Sequence, residues 1–220
     1  MASNQEPKRP GTTGGFSRRS FLRNVGAAAV VADGLLAANP ASAQTAEGQS
    51  NTASPADGPS SGPTPITLTI NGQARAVTVE PRTTLLSALR DRLDPAITGP
   101  KLVCDAGTCG ACTVLLDGKA AYGCSLFAVD VVGRAITTVE GIGTPDKMHP
   151  VQAAFCEKDA MMCGFCTSGF VTTVTGLLTA KPDATLEQIR EGCKGNFCRC
   201  GTFPHIFAAA QSAAETMRKA

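Results

Sequence analysis

The chain has 220 residues, an apolar fraction of 43% and a formal net charge of +2, which allows one or two small domains. With no Trp, one Tyr and ten Cys, alanine and small aliphatic side chains must carry much of the packing. Five of the 20 Lys and Arg residues fall in the first 23 positions and no basic patch follows, so the sequence offers no nucleic-acid footprint.

Residues 1–43 read as an export signal. "SRRSFL" at Ser17–Leu22 precedes a short apolar run broken by Asp33, and "ASAQ" at Ala41–Gln44 offers a small-residue cleavage site. The run is too short to span a bilayer. The paired Arg18-Arg19 resembles a twin-arginine signal, a route that exports folded proteins with cofactors in place; an ordinary Sec signal is the competing reading. The expected location is the periplasm. Removal of residues 1–43 leaves 15 basic and 16 acidic side chains. No later run is long enough for a membrane span.

Residues 44–65 are small, polar and rich in Pro and Gly, and read as a flexible leader. From Ile66 the chain alternates, and Asn71-Gly72 marks a hairpin turn. Leu85, Leu86, Leu89 and Leu93 form one stripe of a helix over Thr83–Leu93, ended by Pro95 and Gly99. "ACTVLLDG", "AYGCSLFAVDVVG" and "AITTVEG" read as further strands. Hairpin, crossing helix and strands make an α+β domain over residues 66–144. Residues 145–220 read as all-helical. One helix starts near Val151, a second covers Gly169–Lys181 and a third, with a Thr185/Gln188 capping box, covers Leu186–Glu191. A fourth follows Thr202, its expected cap.

Each domain carries four spaced cysteines. Cys104, Cys109, Cys112 and Cys124 have the C-x4-C-x2-C…C spacing of plant-type [2Fe–2S] sites. A tight loop can supply three thiolates and a later strand the fourth. Gly107 and Gly110 let the backbone approach and aim N–H groups at sulfur. Cys163-x2-Cys166 and Cys198-x-Cys200 form a second set, with helix starts beside each pair to favour an anionic group. A Cys198–Cys200 disulfide would be severely strained. Four-thiolate zinc remains a rival at the second set, and dithiol exchange at "CGAC" and "CGFC" leaves the additional cysteines without a role. Cys156 and Cys193 read as free, mostly buried thiols, with a mutual disulfide or an extra-ligand role as alternatives.

"CDAGTCGACTV" at Cys104–Val114, "YGCS" around Cys124, "HPVQAAF" at His149–Phe155, "CGFCTSG" at Cys163–Gly169 and "GNFCRCGTFPHI" at Gly195–Ile206 together resemble the two-cluster small subunit of the xanthine oxidase (molybdenum hydroxylase) family. The signal and the "CRCG" ending look most like periplasmic aldehyde oxidoreductase small subunits. The resemblance implies a β-grasp ferredoxin-like domain followed by a four-helix domain. It implies a distal [2Fe–2S] cluster on Cys104, Cys109, Cys112 and Cys124, and a proximal one on Cys163, Cys166, Cys198 and Cys200. It also implies a large partner subunit holding molybdopterin, with electrons leaving to an FAD-binding medium subunit or a cytochrome. The chain itself would hold no catalytic residue. It departs from the family pattern at Met162, where relatives carry Gln, and at Ser168, where they carry Pro.

His149 and His205 read as structural or interface residues, Phe165 and Phe197 as packing that excludes water, Arg199 as charge balance or a subunit contact, and Tyr122 as packing or redox. A stand-alone two-cluster ferredoxin is the alternative function, and a zinc-stapled interaction module is a third.

Overall fold

The computed structural model describes residues 62–219; the expected export signal and most of the leader lie outside the described residues. The first half is a five-stranded mixed sheet. β1 (Thr64–Ile70) and β2 (Gln73–Val79) form the expected hairpin, with Ile70 opposite Gln73. Asn71 and Gly72 take positive φ values of 51° and 77°, the two left-handed positions of a tight hairpin turn. β3 (Thr113–Leu116) and β4 (Lys119–Tyr122) form a second hairpin around Asp117-Gly118, and β5 (Ala135–Thr137) pairs parallel to β1 and antiparallel to β3. The spatial order is β2-β1-β5-β3-β4.

The leucine stripe forms α1 (Leu85–Ser87), which continues as a wider π-helical turn over Ala88–Arg92. The Thr84 hydroxyl caps it by accepting from the Ser87 N–H at 3.2 Å. Leu85, Leu86, Leu89 and Leu93 are all buried, the face the spacing predicts. Burying each contributes roughly 1.5–3 kcal/mol of transfer free energy. Leu68, Ile70, Val77 and Val79 close the same core from the sheet.

The expected strand over "AYGCSLFAVDVVG" is corrected: only its first two residues belong to β4. The rest folds as two 3-10 turns, Gly123–Ser125 and Val129–Val131, in which Gly123, Ala128 and Val131 face the core while Phe127 and Val132 face solvent. That order of burial does not alternate, and the segment makes only one isolated antiparallel bridge, Phe127 to Thr84. Beyond Thr137 the expected strand gives way to a short helix, α2 (Val139–Ile142).

The second half is helical: α3 (Pro150–Glu157), α4 (Thr167–Ala180), α5 (Leu186–Gly192) and α6 (Phe203–Lys219). α4 is buried on most sides and lies at the centre. It packs on β3 and β4 as well as on the other helices. Gly176 makes that approach possible, since a Cβ there would meet Leu115 Cδ2 at 2.7 Å. Phe170 meets Phe203 edge to face at 6.0 Å, and Phe203 stacks on Phe207. None of the described helices is long and apolar enough to cross a membrane.

Candidate metal centres

The first loop is positioned by α1. Arg90 Nη1 donates to the Thr98 and Pro100 carbonyls, both at 2.8 Å, and the Lys101 N–H donates to Ala111 O at 2.9 Å. These bonds fold the chain around Cys104, Cys109 and Cys112. Cys124 reaches them from the 3-10 turn after β4, not from a strand as expected. The Cys112 and Cys124 sulfurs are 3.4 Å apart, and the Cys104 and Cys109 side chains are in hydrogen-bonding contact.

The second set converges from two places. Cys166 occupies the cap position of α4, and Cys198 and Cys200 lie in the loop before α6. Cys163 and Cys200 act on each other's thiols, as do Cys166 and Cys198, and Cys163 also acts on Cys166, so the four lie near one another as a set. A set of four thiols suits a binuclear group, in which each iron would take two thiolates.

In each set the surroundings lower one thiol and raise another. The Thr108 hydroxyl and amide, with the Ala106 N–H at 3.4 Å, bring the Cys104 thiol down to about 6. Burial pushes Cys112 and Cys166 up to about 12. At Cys198 burial acts upward, but Thr202, Cys166 and the Cys200 amide outweigh it and the thiol falls to about 7. Cys112 and Cys166 would therefore keep their protons until a bound metal's charge displaced them. Thr202 accepts the Ile206 N–H through its carbonyl, but its hydroxyl caps nothing. It is buried without a nitrogen or oxygen partner, as are the Thr167 and Ser168 hydroxyls that follow Cys166. The Thr167 and Ser168 hydroxyls, orphaned beside Cys166, fit an acceptor-rich group there, while the Thr202 hydroxyl faces the Cys198 sulfur.

The two loops are joined directly. The Phe197 N–H donates to Cys109 O at 2.9 Å, and Asn196 Nδ2 donates to Gly110 O at 3.1 Å. Gly110, at φ +67°, has no room for a side chain: a Cβ would meet Asn196 Nδ2 at 2.5 Å and Gly195 O at 2.7 Å. Gly107 has the same φ, and a Cβ there would meet Ser125 Oγ at 2.7 Å. No sequence signal separates these roles, because the partner of Gly110 is 86 residues away.

Several expectations change here. Phe165 and Phe197 are exposed, at 58% and 53%, so neither is core packing. With Val103, Ala111 and Arg199 they border a groove of about 190 Å³ between the two loops, next to Cys109, Cys163 and Cys166. Met161 and Met162 are exposed beside it. Cys193 is buried as expected, its thiol pushed up to about 12 by burial, but Cys156 is exposed; all ten thiols are free. His149 caps α3, its Nδ1 accepting from the Val151 N–H at 3.2 Å, and His205 Nδ1 lies 2.9 Å from Lys158 O, so both are structural.

Two family models match. A 2Fe-2S iron-sulfur cluster binding domain covers residues 68–133, and a [2Fe-2S] binding domain covers residues 138–211. The chain is 44% identical over 165 residues to the aldehyde oxidoreductase iron-sulfur-binding subunit of Escherichia coli O157:H7, covering 68% of this chain and 71% of that one. It is 43% identical over 144 residues to the nicotine 6-hydroxylase small subunit of Paenarthrobacter nicotinovorans, covering 66% and 86%. Quinoline 2-oxidoreductase from Pseudomonas putida 86 superimposes with a TM-score of 0.66 at 38% identity, over 71% of this chain and 97% of that one. The chain belongs to the [2Fe–2S] small-subunit family of the molybdenum hydroxylases: it transfers electrons and does not bear the molybdopterin site.

Proposed function

We propose that this chain relays electrons in a periplasmic, molybdenum-dependent aldehyde oxidoreductase. Cys104, Cys109, Cys112 and Cys124 would hold the distal [2Fe–2S] group, and Cys163, Cys166, Cys198 and Cys200 the proximal one. When bound, each group would supply a one-electron acceptor. The observation that carries this reading is the gathering of each set of four cysteines from separate segments, with the Cys109-Gly110 and Asn196-Phe197 stretches hydrogen-bonded to one another. Only the Phe197 backbone and one hydrogen bond separate the Cys109 carbonyl from Cys198.

The residues around the second set support an orientation. Cys163 and Cys200 are exposed, and Met161, Met162, Phe165 and Phe197 surround them with apolar surface that a partner would bury. This face would meet the large molybdopterin-binding subunit. The Cys104 side would serve an FAD-binding medium subunit or a cytochrome. The aldehyde class rests on the likeness to the Escherichia coli subunit. Periplasmic export by the twin-arginine route rests on Arg18-Arg19 and Ala41-Ser42-Ala43. The proposed divisions are a signal at 1–43, a leader at 44–65 and cluster domains at 66–144 and 145–220.

Affinity purification of the tagged chain from its host, followed by metal analysis, tests this. A molybdenum-containing large subunit should co-purify in fixed ratio. A chain that binds iron but is isolated without any molybdenum partner would overturn the reading in favour of a stand-alone ferredoxin.

A further inference from the structure

The two metal-binding loops meet along a short stretch in which consecutive residues pair. The Cys109 carbonyl takes the Phe197 N–H, and the Gly110 carbonyl takes the Asn196 side chain. Asn196 is 6% exposed and hydrogen-bonded on three sides. Its Nδ2 donates to Gly110 O at 3.1 Å, its Oδ1 accepts from Thr173 Oγ1 at 3.0 Å, and its N–H donates to Cys193 O at 2.9 Å. The Gly110 carbonyl is itself fixed by the Thr113 hydroxyl at 2.6 Å and the Thr113 N–H at 3.2 Å. One amide therefore ties the first loop, the central helix α4 and the second loop. The amide alone supplies both the acceptor that faces Thr173 and the donor that faces Gly110.

Resting on the two-cluster reading above, we propose that Asn196 is a positioning residue for electron passage between the two sites. It fixes the Phe197–Cys109 hydrogen bond, and through that bond the separation of Cys109 from Cys198. An electron crossing from the second site to the first oxidises one and reduces the other, with no atom or proton moved. The hydrogen bonds of Asn196 go to Gly110, Thr173 and the Cys193 carbonyl, and none goes to a ligand sulfur. It acts by holding the backbones that carry them, with Thr173 orienting its amide.

The test uses the intact complex with wild type, Asn196→Ala, Asn196→Asp, Thr173→Val and Thr173→Ser. Three quantities are read: iron per chain, hydrogen–deuterium exchange at the Phe197 amide, and the magnetic splitting between the two reduced clusters by electron paramagnetic resonance. Asn196→Ala and Asn196→Asp should retain full iron, lose protection at Phe197 and lose the splitting. Asn196→Asp places a carboxylate oxygen against the Gly110 carbonyl. Thr173→Val, which leaves both ligand motifs intact, should act in the same direction should the Asn196 variants fail to fold, and Thr173→Ser should restore wild-type signals. Full iron with unchanged splitting and Phe197 protection in the variants that fold overturns the inference, even when their melting temperature falls. A wild-type complex with fewer than four irons overturns the two-cluster reading itself and the inference with it.

Discussion

The Tyr122 hydroxyl lies directly on Gly195, so closely that a Cβ at that position would overlap the phenolic oxygen. A residue at the end of β4 thus packs against the glycine that begins the second cysteine motif. Gly195→Ala should cost about 1–3 kcal/mol, the range for overpacking a closed site. Tyr122→Phe should recover part of that loss, because the added Cβ would then face ring carbon at 3.2 Å. A double-mutant cycle by denaturant unfolding should show a coupling of about 0.5–3 kcal/mol. Additive effects would mean that the two residues do not restrain each other.

Asn71 links the first hairpin to the start of α2. Its Nδ2 donates to Thr138 Oγ1 at 3.0 Å, and its Oδ1 accepts from the Thr138 N–H at 2.9 Å. Thr138 is fully buried. Asn71→Ala should lower stability by about 1–3 kcal/mol, because it strands buried polar groups. It should also lose the ease with which asparagine adopts a φ of 51°. Asn71→Asp should cost less, keeping the acceptor that faces the Thr138 amide.

His149 makes the fold sensitive to mild acid. Its ring nitrogen must accept a hydrogen bond from the Val151 N–H, and burial holds its pKa below the ordinary 6.5. A depressed histidine contributes stability that is complete above the unfolded value. That contribution is lost as pH falls from about 6.5 through the folded value. His149→Asn keeps an acceptor for the cap without a titrating group. The melting temperature of the wild type should therefore fall between pH 7 and pH 5 by more than that of His149→Asn. Parallel curves would remove His149 from the acid response.

The two cysteines outside the ligand sets differ in exposure. Cys156 is exposed and outside both sets, whereas Cys193 is buried and its thiol is pushed up to about 12. With all eight ligands occupied, a maleimide reagent should label one thiol per chain, at Cys156. After unfolding and metal removal it should label all ten. Labelling of Cys163 or Cys200 in the fully loaded protein would contradict the ligand assignment.

The parts of the fold that are legible in the sequence are those set by short-range pattern. Alternation around Asn71-Gly72 marks the hairpin, and the Leu85, Leu86, Leu89 and Leu93 stripe marks the crossing helix. The Thr185/Gln188 capping box, with Thr185 Oγ1 and Gln188 Oε1 each accepting a backbone N–H, marks α5. The apolar neighbours of Cys124 suggest a strand, yet their burial follows two tight turns. The apolarity of Phe165 and Phe197 suggests core positions, but composition cannot say whether an apolar residue faces its own chain or a partner. The Gly110–Asn196 and Tyr122–Gly195 contacts join residues too far apart for any local pattern. The two cysteine sets proposed as ligands stand out by their spacing. The hydrogen bonds that join their segments do not.

Eight thiolates of this chain are proposed to hold two binuclear clusters. The decisive measurement is iron and acid-labile sulfide analysis of the purified complex. About four irons and four sulfides per chain are expected, two of each for every [2Fe–2S] group. Two irons per chain in a fully loaded sample, or zinc at the second set with no sulfide, would contradict it.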